Sequence, residues 1–145
     1  MKILKYLFAI SALMFVLSSC YKEEYFLDDN TTSNGRHFPV LQTVVVDNEP
    51  ETGFTEGSTV EIVVHYFSVD PILQYELYET VGAGSEALYS TTPYKYTYDP
   101  DTQSEVVTLN YVVPAGSSGE GIGLNVVIVN ENGLVANKST SIDVN

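Results

Sequence analysis

Apolar and polar residues alternate along most of the chain beyond its first forty positions. Val60, Ile62, Val64 and Tyr66 share one parity, while Glu61 and His65 face the other way. The pattern recurs in Val107, Leu109, Tyr111 and Val113, and again in Ile122, Leu124, Val126 and Ile128. A period of two sends successive side chains to opposite faces of an extended chain, so each run predicts a strand with one buried face. Eight such segments stand out: Phe38–Val46, Thr59–Phe67, Ile72–Val81, Glu86–Ser90, Tyr94–Tyr98, Glu105–Val113, Gly121–Asn130 and Leu134–Val144. They are rich in Val, Ile, Thr and Tyr, which suit a pleated, half-buried surface. Turn formers separate them, including Asn48-Glu49-Pro50, Asp70-Pro71, Gly82-Ala83-Gly84 and Asp99-Pro100-Asp101.

The last two segments fix their own register. A two-residue turn at Asn132-Gly133 would set Ile128, Val126, Leu124 and Ile122 opposite Asn137, Ser139, Ser141 and Asp143. That mixes an apolar face with a polar one. A three-residue loop, Glu131-Asn132-Gly133, instead pairs Ile128 with Ala136, Leu124 with Thr140 and Ile122 with Ile142. A slip of one residue moves every side chain to the other face, so the pattern selects the longer loop. Gly133 then takes the left-handed conformation of a bulge, with Lys138 opposite Val126 as the one poor pair. Seven or eight short strands in roughly 109 residues predict an all-β fold, an immunoglobulin-like β-sandwich, here without the Cys and Trp of antibody domains.

The first twenty residues follow a different rule. Two lysines in Met1–Lys5 precede the uncharged run Tyr6–Leu17, and small residues follow. This is the layout of a secretory signal peptide. The run is too short for a transmembrane helix, which needs roughly 20 apolar residues. Leu17-Ser18-Ser19-Cys20 resembles a lipobox, the cleavage motif of bacterial lipoproteins. The resemblance implies removal of residues 1–19, a diacylglyceryl group on the Cys20 thiol, and anchoring to the outer membrane. Cys20 is the chain's one cysteine, so no disulfide can form within it, and a lipidated Cys20 is neither nucleophile nor metal ligand. Directly behind it, Lys22, Glu23 and Glu24 resemble the surface-export signal of Bacteroidota lipoproteins, which implies that the protein faces the cell exterior. Residues 20–36 are polar and end in turn formers, and read as a lipidated tether ahead of a single domain at 37–145.

Cleavage before Cys20 removes Lys2 and Lys5 and leaves four bases against 19 acids, a charge of −15. Such a surface repels nucleic acid and anionic lipid, whose phosphates require clustered Lys and Arg. Catalytic signals are sparse. His37 and His65 are the only histidines, and no nucleophile-elbow motif accompanies them, so the chain reads as a non-enzyme without cofactors. Asp99-Pro100-Asp101-Thr102-Gln103-Ser104-Glu105 alternates oxygen side chains as calcium loops do, but lacks the glycine and terminal glutamate of an EF-hand, and a plain turn is the expectation. No metal is assigned.

Tyrosine is in excess, with 11 against no Trp. Tyr94, Tyr96 and Tyr98 fall on one face of a predicted strand, and two readings of that face stand: a core-facing edge strand, or a contact surface that stacks on sugar or anchors a protein. The pattern from Glu105 onward is similar to the closing strands of bacterial Ig-like domains in small surface lipoproteins of starch-utilisation-type uptake complexes. That resemblance implies an accessory subunit partnered by a barrel transporter and its lid lipoprotein. An independent glycan-binding module and an adhesion or pilus-related subunit are the alternatives.

Overall fold

The computed structural model describes residues 29–145. Cys20, Lys22, Glu23 and Glu24 lie outside the described residues. Every named element is a strand: β1 (Val40–Val46), β2 (Thr59–Phe67), β3 (Ile72–Val81), β4 (Ala87–Pro93), β5 (Tyr98–Asp99), β6 (Ser104–Val112), β7 (Gly121–Asn130) and β8 (Val135–Asp143). They pair into two antiparallel sheets of four, ordered β1-β2-β6-β5 and β4-β3-β7-β8. Lettered A, B, C, C′, D, E, F and G in chain order, the sheets become ABED and C′CFG, the arrangement of an immunoglobulin-like sandwich.

The alternating runs supply the core. Val60, Ile62, Val64 and Tyr66 of β2 are fully buried, as are Ile122, Leu124, Val126 and Ile128 of β7. Tyr75 and Leu77 of β3 and Leu109 and Tyr111 of β6 complete the same cluster. Their other-parity neighbours face outward, as a sheet with one packed face requires.

The final hairpin adopts the register its hydrophobic pattern selects. Ile128 lies opposite Ala136, Leu124 opposite Thr140 and Ile122 opposite Ile142. The Gly133 N–H donates to the Asn130 carbonyl at 3.0 Å, and Asn130 and Leu134 close the loop. Gly133 has φ +82°. Lys138, opposite Val126, escapes the core by donating from Nζ to the Gln42 carbonyl at 2.7 Å.

One expectation needs correction. The predicted strand Tyr94–Tyr98 is not a strand over Tyr94–Thr97. There β4, which runs on to Pro93, leaves one sheet and the chain crosses to the other, so these residues cannot keep one face. Only Tyr98 and Asp99 pair, with Glu105 and Ser104. This short β5 leaves most of the outer edge of β6 bare. The bare stretch is bracketed by Val106 N–H donating to the Thr97 carbonyl and Val112 N–H donating to the Tyr89 hydroxyl at 3.0 Å. Ahead of β1 the entering chain folds back on itself. Thr31 bridges His37, and Phe38 N–H donates to the Asn30 carbonyl.

Gly133 offers a direct check of the register. A Cβ there meets nothing within 4 Å, so substitution costs only backbone strain. Gly133→Ala should destabilise the domain by roughly 1 kcal/mol, a fall of several degrees in a thermal melt. An unchanged melting temperature would mean that the turn is not held at positive φ.

Candidate functional site

One end of the sandwich gathers most of the chemistry. The entering chain, the β2–β3 turn, the β4–β5 crossover and the β7–β8 turn all meet there. The Tyr94 N–H donates to the Leu73 carbonyl at 3.2 Å. A half-open cleft of about 260 Å³ is lined by Ser68, Val69, Asp70, Pro71, Ile72, Tyr94 and Glu105.

A tyrosine–carboxylate network forms the cleft's inner wall. Glu105 Oε2 accepts from the Tyr94 hydroxyl at 2.8 Å and from the Tyr66 hydroxyl at 3.0 Å. The Tyr66 and Tyr75 hydroxyls also bond to each other. Each hydroxyl has one proton and a carboxylate only accepts, so the order is Tyr75 to Tyr66 to Glu105. The Tyr66 and Tyr75 rings meet edge-on at 5.6 Å, and Tyr94 lies 6.3 Å from Tyr75. Burial raises the Tyr66 hydroxyl far above its ordinary range, and the neighbouring Tyr75 and Glu105 push it the same way. Burial also raises Tyr94, with the Glu105 hydrogen bond adding to it. These hydroxyls therefore remain protonated donors. At the other end, Tyr111 donates to Glu79 Oε2 at 2.7 Å and stacks against Tyr89 at 4.6 Å.

Beside the cleft, the entering chain is clamped. Asp70 accepts the His37 N–H at 2.7 Å and Asn132 Nδ2 at 2.7 Å, with His37 Nδ1 at 3.4 Å from its other oxygen. Asn130 Nδ2 donates to the His37 carbonyl at 3.0 Å, and Arg36 Nη1 to the Asn132 carbonyl at 3.0 Å. The His37 backbone N–H is the main cause that holds the Asp70 carboxyl below the usual carboxylate range.

The three tyrosines singled out in the sequence divide. Tyr94 turns inward onto the core. Tyr96 and Tyr98 remain 66% and 50% exposed. His65 Nδ1 lies 3.1 Å from Ser104 Oγ, which continues through Thr102 to Asp99. The carboxylate thus sits at the hydroxyl end of the chain, away from the imidazole, and Ser104 is only 1% exposed. This order is the reverse of a nucleophile relay, in which the acid orients the histidine. Asp99 also accepts the Asp101 N–H at 3.0 Å, so its carboxylate caps its own turn. The sequence reading placed Glu105 only in the oxygen-rich turn pattern and did not single out Glu79, although both continue the buried parity of their strands, a signal that could have found them as tyrosine partners. No protein-family model matches the chain, and no curated protein matches it.

Separate melts of the tyrosine variants should now diverge. Tyr94→Ala removes a ring packed on the core and a Glu105 partner, and should cost about 2–3 kcal/mol. Tyr96→Ala and Tyr98→Ala should stay within about 0.5 kcal/mol of wild type. Equal losses at all three positions would restore the single-face reading.

The clamp makes a pH prediction. Because the folded pKa of Asp70 is depressed, its stabilisation is complete above the unfolded value of about 3.9 and is lost as pH falls through the folded value. The His37 amide resonance should therefore titrate below that unfolded value, and Asp70→Asn should abolish the transition. A midpoint at or above the unfolded value would show that the carboxylate gains nothing from the clamp.

Proposed function

We propose that this chain is a lipid-anchored, surface-exposed outer-membrane protein that binds rather than catalyses, as an accessory subunit of a nutrient-uptake complex. The observation that carries this reading is the sequence Leu17-Ser18-Ser19-Cys20, followed after Tyr21 by Lys22-Glu23-Glu24. The small sandwich behind it supports the reading, because its exposed Tyr96 and Tyr98 offer amphipathic side chains for contact. In such a complex the partners are a barrel transporter and its lid lipoprotein.

A second reading, an independent glycan-binding module, rests on the cleft. Tyr94 offers an aromatic edge, and Ser68, Asp70 and Glu105 offer hydroxyl and carboxylate oxygens, the mixture that sugar hydroxyls and ring faces engage.

Labelling cells with a radioactive fatty acid tests the anchor: the wild-type protein should incorporate label and Cys20→Ser should not. Replacing Lys22, Glu23 and Glu24 with alanine should leave a lipidated protein protected from protease added to intact cells. Equal labelling of the serine variant would refute the anchor, and unchanged shaving would refute the export signal. Pull-down of the lipidated wild type from detergent-solubilised outer membrane then separates the two readings. Recovery of a transporter and lid favours the accessory subunit, and binding of an isolated oligosaccharide alone favours the module.

A further inference from the structure

The clamp fixes the end of the sandwich at which the described chain enters. Asn30, ten residues beyond that cysteine, bonds to Phe38, and His37 is tied to Asp70 in the β2–β3 turn. Ten residues span at most about 35 Å when fully extended. The tether end cannot stand farther than that from whatever holds Cys20, whereas the β1–β2 and β6–β7 loops lie at the opposite end.

The tether end is also unusually apolar for an exposed surface. Phe38, Phe67, Val69, Leu73, Tyr96 and Tyr98 are all large and exposed, and all lie on or beside the segments that meet there. Tyrosine and phenylalanine favour the boundary between headgroups and hydrocarbon, where a ring is apolar on one side and wet on the other. Scattered exposed apolar side chains need no explanation, but six on the loops and strand ends nearest an expected lipid anchor are a different observation.

The bases fall in the same sense. Arg36 and Lys95 are two of the three bases among the described residues, and both belong to the tether end. The far end holds Asp47, Glu49, Glu51, Glu56, Glu120 and Asp143 with no Lys or Arg. The tether end carries acids too: Asp70, Asp99 and Glu105 accept hydrogen bonds from their own neighbours, and Asp29, Asp101 and Glu131 are exposed. A base is drawn to an anionic surface, and a row of carboxylates is repelled by it.

We propose that the tether end of the sandwich is a membrane-docking surface, seated in the headgroup layer of the bilayer that holds Cys20. The assignment rests on the lipid-anchor reading above and adds an orientation to it: the domain stands end-on, with Tyr96 and Tyr98 at the interface and the acidic loops pointing away.

The single cysteine makes the test clean, since a lipidated Cys20 leaves no native thiol to label. Full-length lipidated protein carrying Tyr96→Cys or Glu51→Cys is spin-labelled and reconstituted into vesicles of phosphatidylethanolamine and phosphatidylglycerol. The nitroxide at position 96 should collide preferentially with lipid-soluble oxygen, and the one at position 51 with a water-soluble nickel chelate. Adding Lys95→Glu and Tyr98→Ser to the first variant should return position 96 to water. Mass spectrometry of the same preparation reads the lipid separately. A lipidated protein whose position 96 is as open to the chelate as position 51 overturns docking alone, while an unlipidated Cys20 overturns the anchor and docking together. If position 96 is shielded only after outer-membrane proteins are added, the surface belongs to a protein partner and the lipid assignment falls.

Discussion

Everything in this domain depends on two sheets staying face to face without a covalent tie. One cysteine in the sequence cannot cross-link the sheets, so burial must hold them. One core cluster does this, with Val60, Ile62, Val64 and Tyr66 contributed by one sheet and Ile122, Leu124, Val126 and Ile128 by the other. At each end of that apolar strip a tyrosine hydroxyl reaches across the gap to a polar partner. Tyr75 on β3 reaches Tyr66 and, through it, Glu105 on β6, and Tyr111 on β6 reaches Glu79 on β3. A buried hydroxyl left without a partner costs about 1–3 kcal/mol. The two glutamates thus allow bulky rings to fill the ends of the core, and no buried side-chain polar atom among the described residues is left without a partner. Much of the tyrosine excess is explained here, in the interior.

Period-two patterning made the sandwich legible. The bounds of β2, β3 and β7 follow from it residue for residue, and so does the register of the last hairpin, because a slip there would bury Asn137, Ser139 and Asp143 in place of Ala136, Thr140 and Ile142. The pattern fails where the chain changes sheets. Tyr94, Tyr96 and Tyr98 alternate as a strand would, but alternation says nothing about whether a partner strand is present, and between Pro93 and Tyr98 there is none. The clamp was illegible for a different reason. Asp70, Asn130 and Asn132 look like ordinary turn residues, and only the fold brings His37 beside them from far along the chain. Glu105 was legible in principle, since its parity points inward, but a charged residue at the start of a strand reads more naturally as solvated.

The clamp and the network sit side by side, and this links local chemistry to the placement of the whole domain. The entering chain is bonded to two separate turns through Arg36 and His37. The same turns border the cleft. Whatever meets the cleft therefore does so at a fixed angle to the direction from which the chain arrives.

The bare edge of β6 has a consequence for crowding. A row of free amides on a sheet edge is a template for the next molecule's strand. Here the exposed stretch between Val106 and Val112 leaves only Thr108 and Asn110 with outward-pointing amides, because Thr97 occupies one end and the Tyr89 hydroxyl the other. Two amides are too few to template a stable intermolecular strand. Edge-to-edge joining of copies through β6 is thereby disfavoured.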